Sequence, residues 1–205
     1  MIFKYVIFLL LALTFVNAEV YVSQDIINNV AKKYNQFAQN RFIDMQHRLD
    51  ELKDKPTIIK LNSVNTYFNQ VRYMSDMENY NMSDYWATPW EFLARDAGDC
   101  EDYVIAKYFA LKYLGIEPKH MYFTYVKSTQ FKEAHMVLTY FETPSSEPLV
   151  LDSNNRFVLP ASKRTDLTPI YNFNGDLLST SAKKMKHQPM QKWDELMLNI
   201  KKGKI

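Results

Sequence analysis

A single cysteine, Cys100, is all the thiol chemistry in this 205-residue chain. One cysteine cannot close an intramolecular disulfide, so in an oxidising compartment it is either a reactive thiol or an inert buried one. Neither charge is in excess: 25 Lys+Arg stand against 23 Asp+Glu, and no like-charge block exceeds the short Lys201-Lys202-Gly203-Lys204 tail. That balance leaves no electrostatic footprint for nucleic acid, which is set aside as a partner. No segment beyond the N-terminus is apolar for long enough to be expected to span a bilayer. Internal repeats and low-complexity segments are missing as well.

The N-terminus itself is apolar. Lys4 precedes a run from Tyr5 to Val16, and Val16-Asn17-Ala18 offers small or tolerated residues around a cleavage point before Glu19. This pattern predicts a secretory signal peptide over residues 1–18. The alternative is a membrane anchor, but the run is shorter than the roughly 20 residues that a spanning helix needs. The mature chain is then expected to be exported to the periplasm. At 47% hydrophobic residues it can bury a sizeable core, and residues 19–205 are expected to form one domain.

Apolar periodicity divides that domain into a helical part, about 19–115, and a β part, about 120–180. A long polar helix is predicted from about Ser23 to Lys53, with Ile27, Val30, Tyr34, Phe37, Met45, Leu49 and Leu52 on one stripe and Pro56 beyond its end. A second helix runs from Ile58 to about Met74, and the Asn/Ser/Asp-rich residues up to Ser83 read as loop. Thr88-Pro89 can start a short helix, with Thr88 as cap and Pro89 at its first position. Trp86 and Trp90 nearby are expected as core anchors, with one of them an alternative cleft wall. Three strands follow, Met121 to Val126, His135 to Phe141 and Pro148 to Leu151, the last two as an antiparallel pair. Pro160 to Pro169 and Asn172 to Gly175 read as irregular, and Trp193, Leu196, Met197 and Ile200 predict a final amphipathic helix. The fold class is α+β.

Gly98-Asp99-Cys100-Glu101-Asp102-Tyr103 is the centre of this pattern. Gly98 breaks the preceding segment, Asp99 is a good N-cap, and Asp102 stands in a capping-box-like position. Val104, Ile105, Tyr108, Phe109 and Leu111 then make an apolar stripe of roughly four turns, which Gly115 and Pro118 stop. Cys100 thus falls in a first helical turn, where free N–H groups and the dipole favour a thiolate. Asp99, Glu101 and Asp102, with Asp96 nearby, oppose that by like-charge repulsion unless they are capping, paired or holding a cation.

A cysteine nucleophile needs a base, and the base an orienting acceptor. Of the four histidines, His47 lies on a charged helical face, His187 in a polar C-terminal region and His120 in a turn after Pro118. His135 alone begins an apolar alternating strand, and Asp152 ends the strand predicted beside it. Cys100-His135-Asp152 is therefore the candidate constellation, although a strand-end His and Asp serve equally well as satisfied polar groups.

Several short motifs occur together in one order: Leu61-Asn62-Ser63-Val64-Asn65-Thr66-Tyr67-Phe68-Asn69, Asp84-Tyr85-Trp86-Ala87-Thr88-Pro89, the Cys100 turn, Ala134-His135-Met136-Val137-Leu138, Leu151-Asp152 and Arg164-Thr165-Asp166-Leu167. Jointly they resemble the LapG-type bacterial transglutaminase-like cysteine proteases over nearly all of the mature chain. The resemblance implies a papain-like, transglutaminase-like fold, with a helical N-terminal half followed by an antiparallel sheet. It implies Cys100 as nucleophile, His135 as general base and Asp152 as its orienting carboxylate. It further implies a periplasmic, calcium-dependent endopeptidase that cleaves the N-terminal region of a large surface adhesin near an Ala-Ala pair, releasing it and dispersing biofilm. An inner-membrane cyclic-di-GMP receptor of the LapD type would restrain the enzyme. Calcium would be held by Asp99, Glu101 and Asp102, with backbone oxygens near Lys119 to Met121. Family members often carry a tryptophan and a glycine where this chain has Tyr80 and Asn81, so substrate or receptor contacts there are expected to differ. The oxyanion donors would be the Cys100 N–H and a second group, with a side chain of Tyr85-Trp86 as candidate. Two other classes stay open: an acyl transferase using the same three residues, and an inactive calcium-dependent binding module.

Overall fold

A computed structural model of the chain describes residues 20–129, 134–176 and 188–205. The signal segment 1–18 and His187 lie outside the described residues. The first half is helical: α1 (Gln24–Lys33), α2 (Gln36–Leu52), α3 (Thr57–Phe68), α4 (Asp76–Tyr80), α5 (Pro89–Arg95) and α6 (Cys100–Tyr113). Two short strands between them, β1 (Arg72–Tyr73) and β2 (Ala97–Gly98), pair in parallel. The second half supplies β3 (Met121–Ser128), β4 (Ala134–Tyr140), β5 (Leu149–Leu151), β6 (Leu159–Pro160) and β7 (Leu167–Phe173), followed by α7 (Gln188–Lys201). These five strands form one sheet in the order β6-β5-β4-β3-β7, antiparallel throughout. The molecule is thus α+β, as its periodicity implies.

The long first helix is in fact two. The Asn35 side chain accepts the Ala38 N–H and starts a new N-terminus, a competing local bond that apolar spacing does not register. The second helix stops at Phe68, because Arg72 and Tyr73 are drawn into pairing with Ala97 and Gly98. The loop expected up to Ser83 contains α4, opened by a capping box between Ser75 and Glu78. Asn81 closes α4 in the left-handed region at φ 55°, where asparagine is the residue best able to stand in for glycine. Leu167–Phe173, whose two ends fall in the stretches expected to be irregular, is an edge strand. An edge tolerates Pro169, which lies where the β3–β7 register shifts between Tyr125 and Val126.

Helix α6 is the axis of the molecule. Residues from Asp102 to Leu111 are buried on nearly every side, with only Phe109 partly open, because α3 and α5 pack on it from one side and β4 from the other. Its Tyr108 meets Phe123 of β3 at 5.1 Å and Trp193 of α7 at 5.7 Å between ring centroids. Trp86 stacks on Phe123 and Phe173, and Trp90 packs edge-on against Tyr21, so both tryptophans are core residues. Each such side chain removed from water contributes about 2 kcal/mol, which holds the first turn of α6 firmly against the start of β4.

Candidate active site

Gly98 has to be glycine for α6 to begin where it does. A Cβ there would fall 2.5 Å from Asp102 Oδ2 and 2.5 Å from the Phe92 ring. Asp99 takes the N-cap position without a side-chain capping bond. The Asp102 carboxylate, three residues on, accepts the Ala87 N–H at 2.8 Å, and the nearby Asp99 N–H also favours its charged form. Cys100 is half-buried at the first helical position. The Met136 backbone N–H lies near enough to favour the charged sulfur, which sets the thiol beside the residue that follows His135 on β4. Its Sγ donates to Glu101 Oε2 at 3.1 Å. Burial first, then the Glu101 and Asp99 carboxylates, push the thiol well above its ordinary value, outweighing the Met136 N–H.

The β4–β5 register builds the second part. Leu138 faces Leu151, so carrying the ladder beyond the end of β5 sets Asp152 diagonally across from His135 and Asn154 directly opposite it. His135 Nε2 lies 2.7 Å from Asp152 Oδ1, with both side chains buried. The Asn154 N–H donates to the same Oδ1 at 2.9 Å, and its side-chain amide nitrogen stands 3.4 Å from His135 Nε2. Arg164, itself buried, donates from Nη2 to Asp152 Oδ2 at 2.6 Å and is steadied by Asp166. Arg164 lies in a quoted motif, yet its part here could not be read from spacing. Burial alone would raise the Asp152 carboxyl, but His135, the Asn154 amide and Arg164 together hold it well below the usual carboxylate range.

A carboxyl depressed on folding leaves the unfolded chain binding the extra proton. The stability contributed by Asp152 is therefore present above its unfolded pKa of about 3.9 and is lost as pH falls through the lower folded value. Melts followed from about pH 5 down to about pH 2 should lose stability more steeply in wild type than in Asp152→Asn; parallel acid limbs would contradict this.

The third part is acidic. Carboxylate oxygens of Asp76, Asp99 and Asp102 lie within 4.8 Å of one another, and so do those of Asp76, Asp84 and Glu101. Asp76 Oδ1, Asp99 Oδ1 and Asp102 Oδ2 are buried with no hydrogen-bond partner. Burial first, and the neighbouring carboxylates second, push Asp99 up to about 10 and Asp102 well above its ordinary range. Burial likewise lifts Asp76 to about 6, against the Tyr85 N–H that it accepts. Neither Asp76, in a segment expected to be loop, nor Asp84, which opens the Asp84–Pro89 motif, is expected at the cation site from sequence, because only the fold brings them to the Cys100 turn. Asp84 also pairs with Lys192 of α7.

Two other expectations fail on geometry. Met136, beside Cys100, pairs with Tyr125, whereas Met121 pairs with Tyr140 at the other end of the hairpin, about 14 Å along at roughly 3.4 Å per residue. The Pro118 and Met121 carbonyls accept from Asn174 instead, so Lys119 to Met121 stand away from the carboxylates. The Tyr85 hydroxyl is bound to Glu91 and Lys204, and Trp86 is stacked in the core, so neither is placed as an oxyanion donor. His47 is exposed beside Glu51, and His120 Nδ1 contacts the Phe141 carbonyl; neither joins the site. No helix among the described residues is long and apolar enough to cross a membrane.

Known proteins bear on this geometry. The chain is similar to Legionella pneumophila LapG at 37% identity and TM-score 0.72, covering 89% of this chain and 99% of that one. A second, EGTA-treated LapG structure matches at 38% identity and TM-score 0.73, over 89% of this chain and all of the other. A calcium-bound LapG matches at 38% identity and TM-score 0.71, over 87% and 99%. No curated protein matches significantly. The family model described as bacterial transglutaminase-like cysteine proteinase (BTLCP) matches residues 28–171. With more than half its length under that model and LapG sharing its fold from end to end, the chain belongs to the bacterial transglutaminase-like cysteine proteinases.

Proposed function

We propose that this chain is a calcium-dependent periplasmic cysteine endopeptidase in which Cys100 is the nucleophile, His135 the general base and Asp152 its orienting carboxylate. The observation that carries the reading is the buried His135–Asp152 pair, 2.7 Å apart, on the strand start that meets the first turn of the Cys100 helix. With Nε2 engaged by the carboxylate, proton exchange with the thiol falls to Nδ1. His135 takes the Cys100 proton, and the sulfur attacks the scissile carbonyl. The C–N bond breaks as imidazolium returns the proton to the leaving amine. Water, deprotonated by the same imidazole, then hydrolyses the thioester. The Cys100 N–H, at a helix start where N–H groups have no intrahelical partner, is the natural oxyanion donor.

Calcium fits the acidic cluster by donor chemistry. Three unpartnered buried carboxylate oxygens are hard ligands, and one carboxylate oxygen from each of Asp76, Asp99 and Asp102 lies within 4.8 Å of the others, the span across one ion ligated at about 2.4 Å. Asp76, Asp99 and Asp102 would hold it, with Glu101 adjoining, and its charge would relieve the repulsion that now opposes a thiolate at Cys100.

The substrate proposed is the N-terminal region of a large surface adhesin near an Ala-Ala pair, cut to release the adhesin and disperse biofilm. A cyclic-di-GMP receptor of the inner membrane, LapD-type, would restrain the protease. Incubating the mature chain with such a fragment, with and without excess chelator and alongside Cys100→Ala, tests the thiol catalysis, the calcium dependence and the substrate on one gel. Cleavage is expected only from calcium-loaded wild type. A folded, calcium-loaded wild type that cuts no adhesin fragment overturns the proposal, and amine incorporation in place of hydrolysis would transfer it to acyl-transfer chemistry.

A further inference from the structure

The Leu61–Asn69 motif supplies none of the reacting groups, yet two of its asparagines, four residues apart on α3 and at its C-cap, turn inward. Asn65, fully buried, donates from Nδ2 to the carbonyls of Asn155 at 3.0 Å and Arg156 at 3.2 Å. Asn69 donates from Nδ2 to the carbonyls of Asp152 at 2.8 Å and Asn155 at 3.0 Å. Behind them, Lys107 of α6, also fully buried, donates from Nζ to Asn65 Oδ1 at 2.8 Å. An ammonium in the middle of a core is expensive and is retained only where it has a partner to hold. Here its bond fixes which end of the Asn65 amide faces the turn: the oxygen must meet the lysine, so the NH2 must meet the carbonyls. Burial drives the Lys107 amine down to about 7, and the nearby Asp152 charge pulls it back up.

We propose that Lys107, Asn65 and Asn69 are positioning residues that clamp the backbone of the 152–156 turn from the helical side. Arg164 holds the Asp152 carboxylate from the other side, so the Asp152–His135 bond is set by a buried bracket between α3, α6 and the turn. The proposal rests on the reading of His135 and Asp152 as base and orienting carboxylate. A shift of the turn by a fraction of an ångström lengthens that bond without touching substrate, so the loss should fall on kcat and not on KM.

The test uses the mature, calcium-loaded chain with Lys107→Met and, separately, Asn69→Ala. Asn69 closes the end of α3 and is only half-buried, so its variant folds even where the buried one does not. Two readouts are taken: steady-state cleavage of the adhesin fragment, and the downfield proton resonance of His135 Nε2–H in histidine-labelled protein, assigned by its loss in His135→Gln. Expected are a fall in kcat of about tenfold or more at unchanged KM and an upfield shift or broadening of the resonance. A folded variant in which either readout keeps its wild-type value overturns the proposal. Should wild type cleave nothing, the protease reading fails separately and the resonance alone decides.

Discussion

Replacing His135 by alanine is expected to lower kcat by about ten-thousandfold while the fold survives, because it deletes the group to which the proposed mechanism gives the Cys100 proton, and Glu101, which the thiol meets at 3.1 Å, has no orienting partner of the Asp152 kind. The thiol cannot compensate: burial first and the Glu101 carboxylate second hold it protonated, so without a base there is little nucleophile at neutral pH. Asp152→Asn should cost less, about a hundredfold, and the reason lies in Arg164. Asp152 accepts on both oxygens, from Arg164 on Oδ2 and from His135 and Asn154 on Oδ1. An asparagine keeps one acceptor, and the charged Arg164 donor claims it. Its NH2 then faces Nε2 and selects the tautomer protonated on Nδ1, which cannot take a proton from the thiol. Steady-state kinetics on both variants, with far-UV circular dichroism as control, measures this. Activity within tenfold of wild type in His135→Ala would remove His135 from the base's role.

The elements that act locally were legible. Thr88 caps α5 with Pro89 at its first position, and His135 opens a strand whose alternation is visible by eye. Cys100, His135 and Asp152 could be named because the first lies in a helix start and the others at strand ends, which are the places where polar groups escape the ladder. What could not be read depends on pairing at long range. Asp76 reaches the acidic cluster only because β1 joins β2 and brings the start of α4 beside the Cys100 turn. Arg164 reaches Asp152 only after β5 and β6 pair. The break at Asn35 was lost for the opposite reason: a single side-chain bond to the Ala38 N–H ended a helix whose apolar stripe continues on both sides. Lys107 was hidden among apolar neighbours on α6, where nothing in the periodicity separates a buried lysine from a solvated one.

Chelation is expected to lower the melting temperature of the mature chain by roughly 10 °C, a drop that excess calcium reverses and magnesium does not. Ligand present at a thousandfold above its dissociation constant contributes about 4 kcal/mol, and a chain of this size loses a few degrees per kcal/mol. Magnesium is the discriminating control, since it demands near-octahedral geometry and keeps its waters, whereas calcium accepts an irregular set of carboxylates. Asp102→Asn and Asp76→Asn sharpen the argument in opposite conditions. Each replaces a carboxyl whose charged form burial and its neighbours oppose, so in chelator each should melt at or above wild type; in calcium each should gain far less than wild type does. That crossing separates a cation site from a merely strained acidic turn, in which the variants would be stabilised equally with and without calcium. Because Asp76 was found only through the fold, its variant also tests whether the ion sits among α4, the Cys100 turn and Asp102. A wild-type melt indifferent to chelator would sink the site, and with it the account of how a thiol flanked by Asp99, Glu101 and Asp102 becomes a nucleophile.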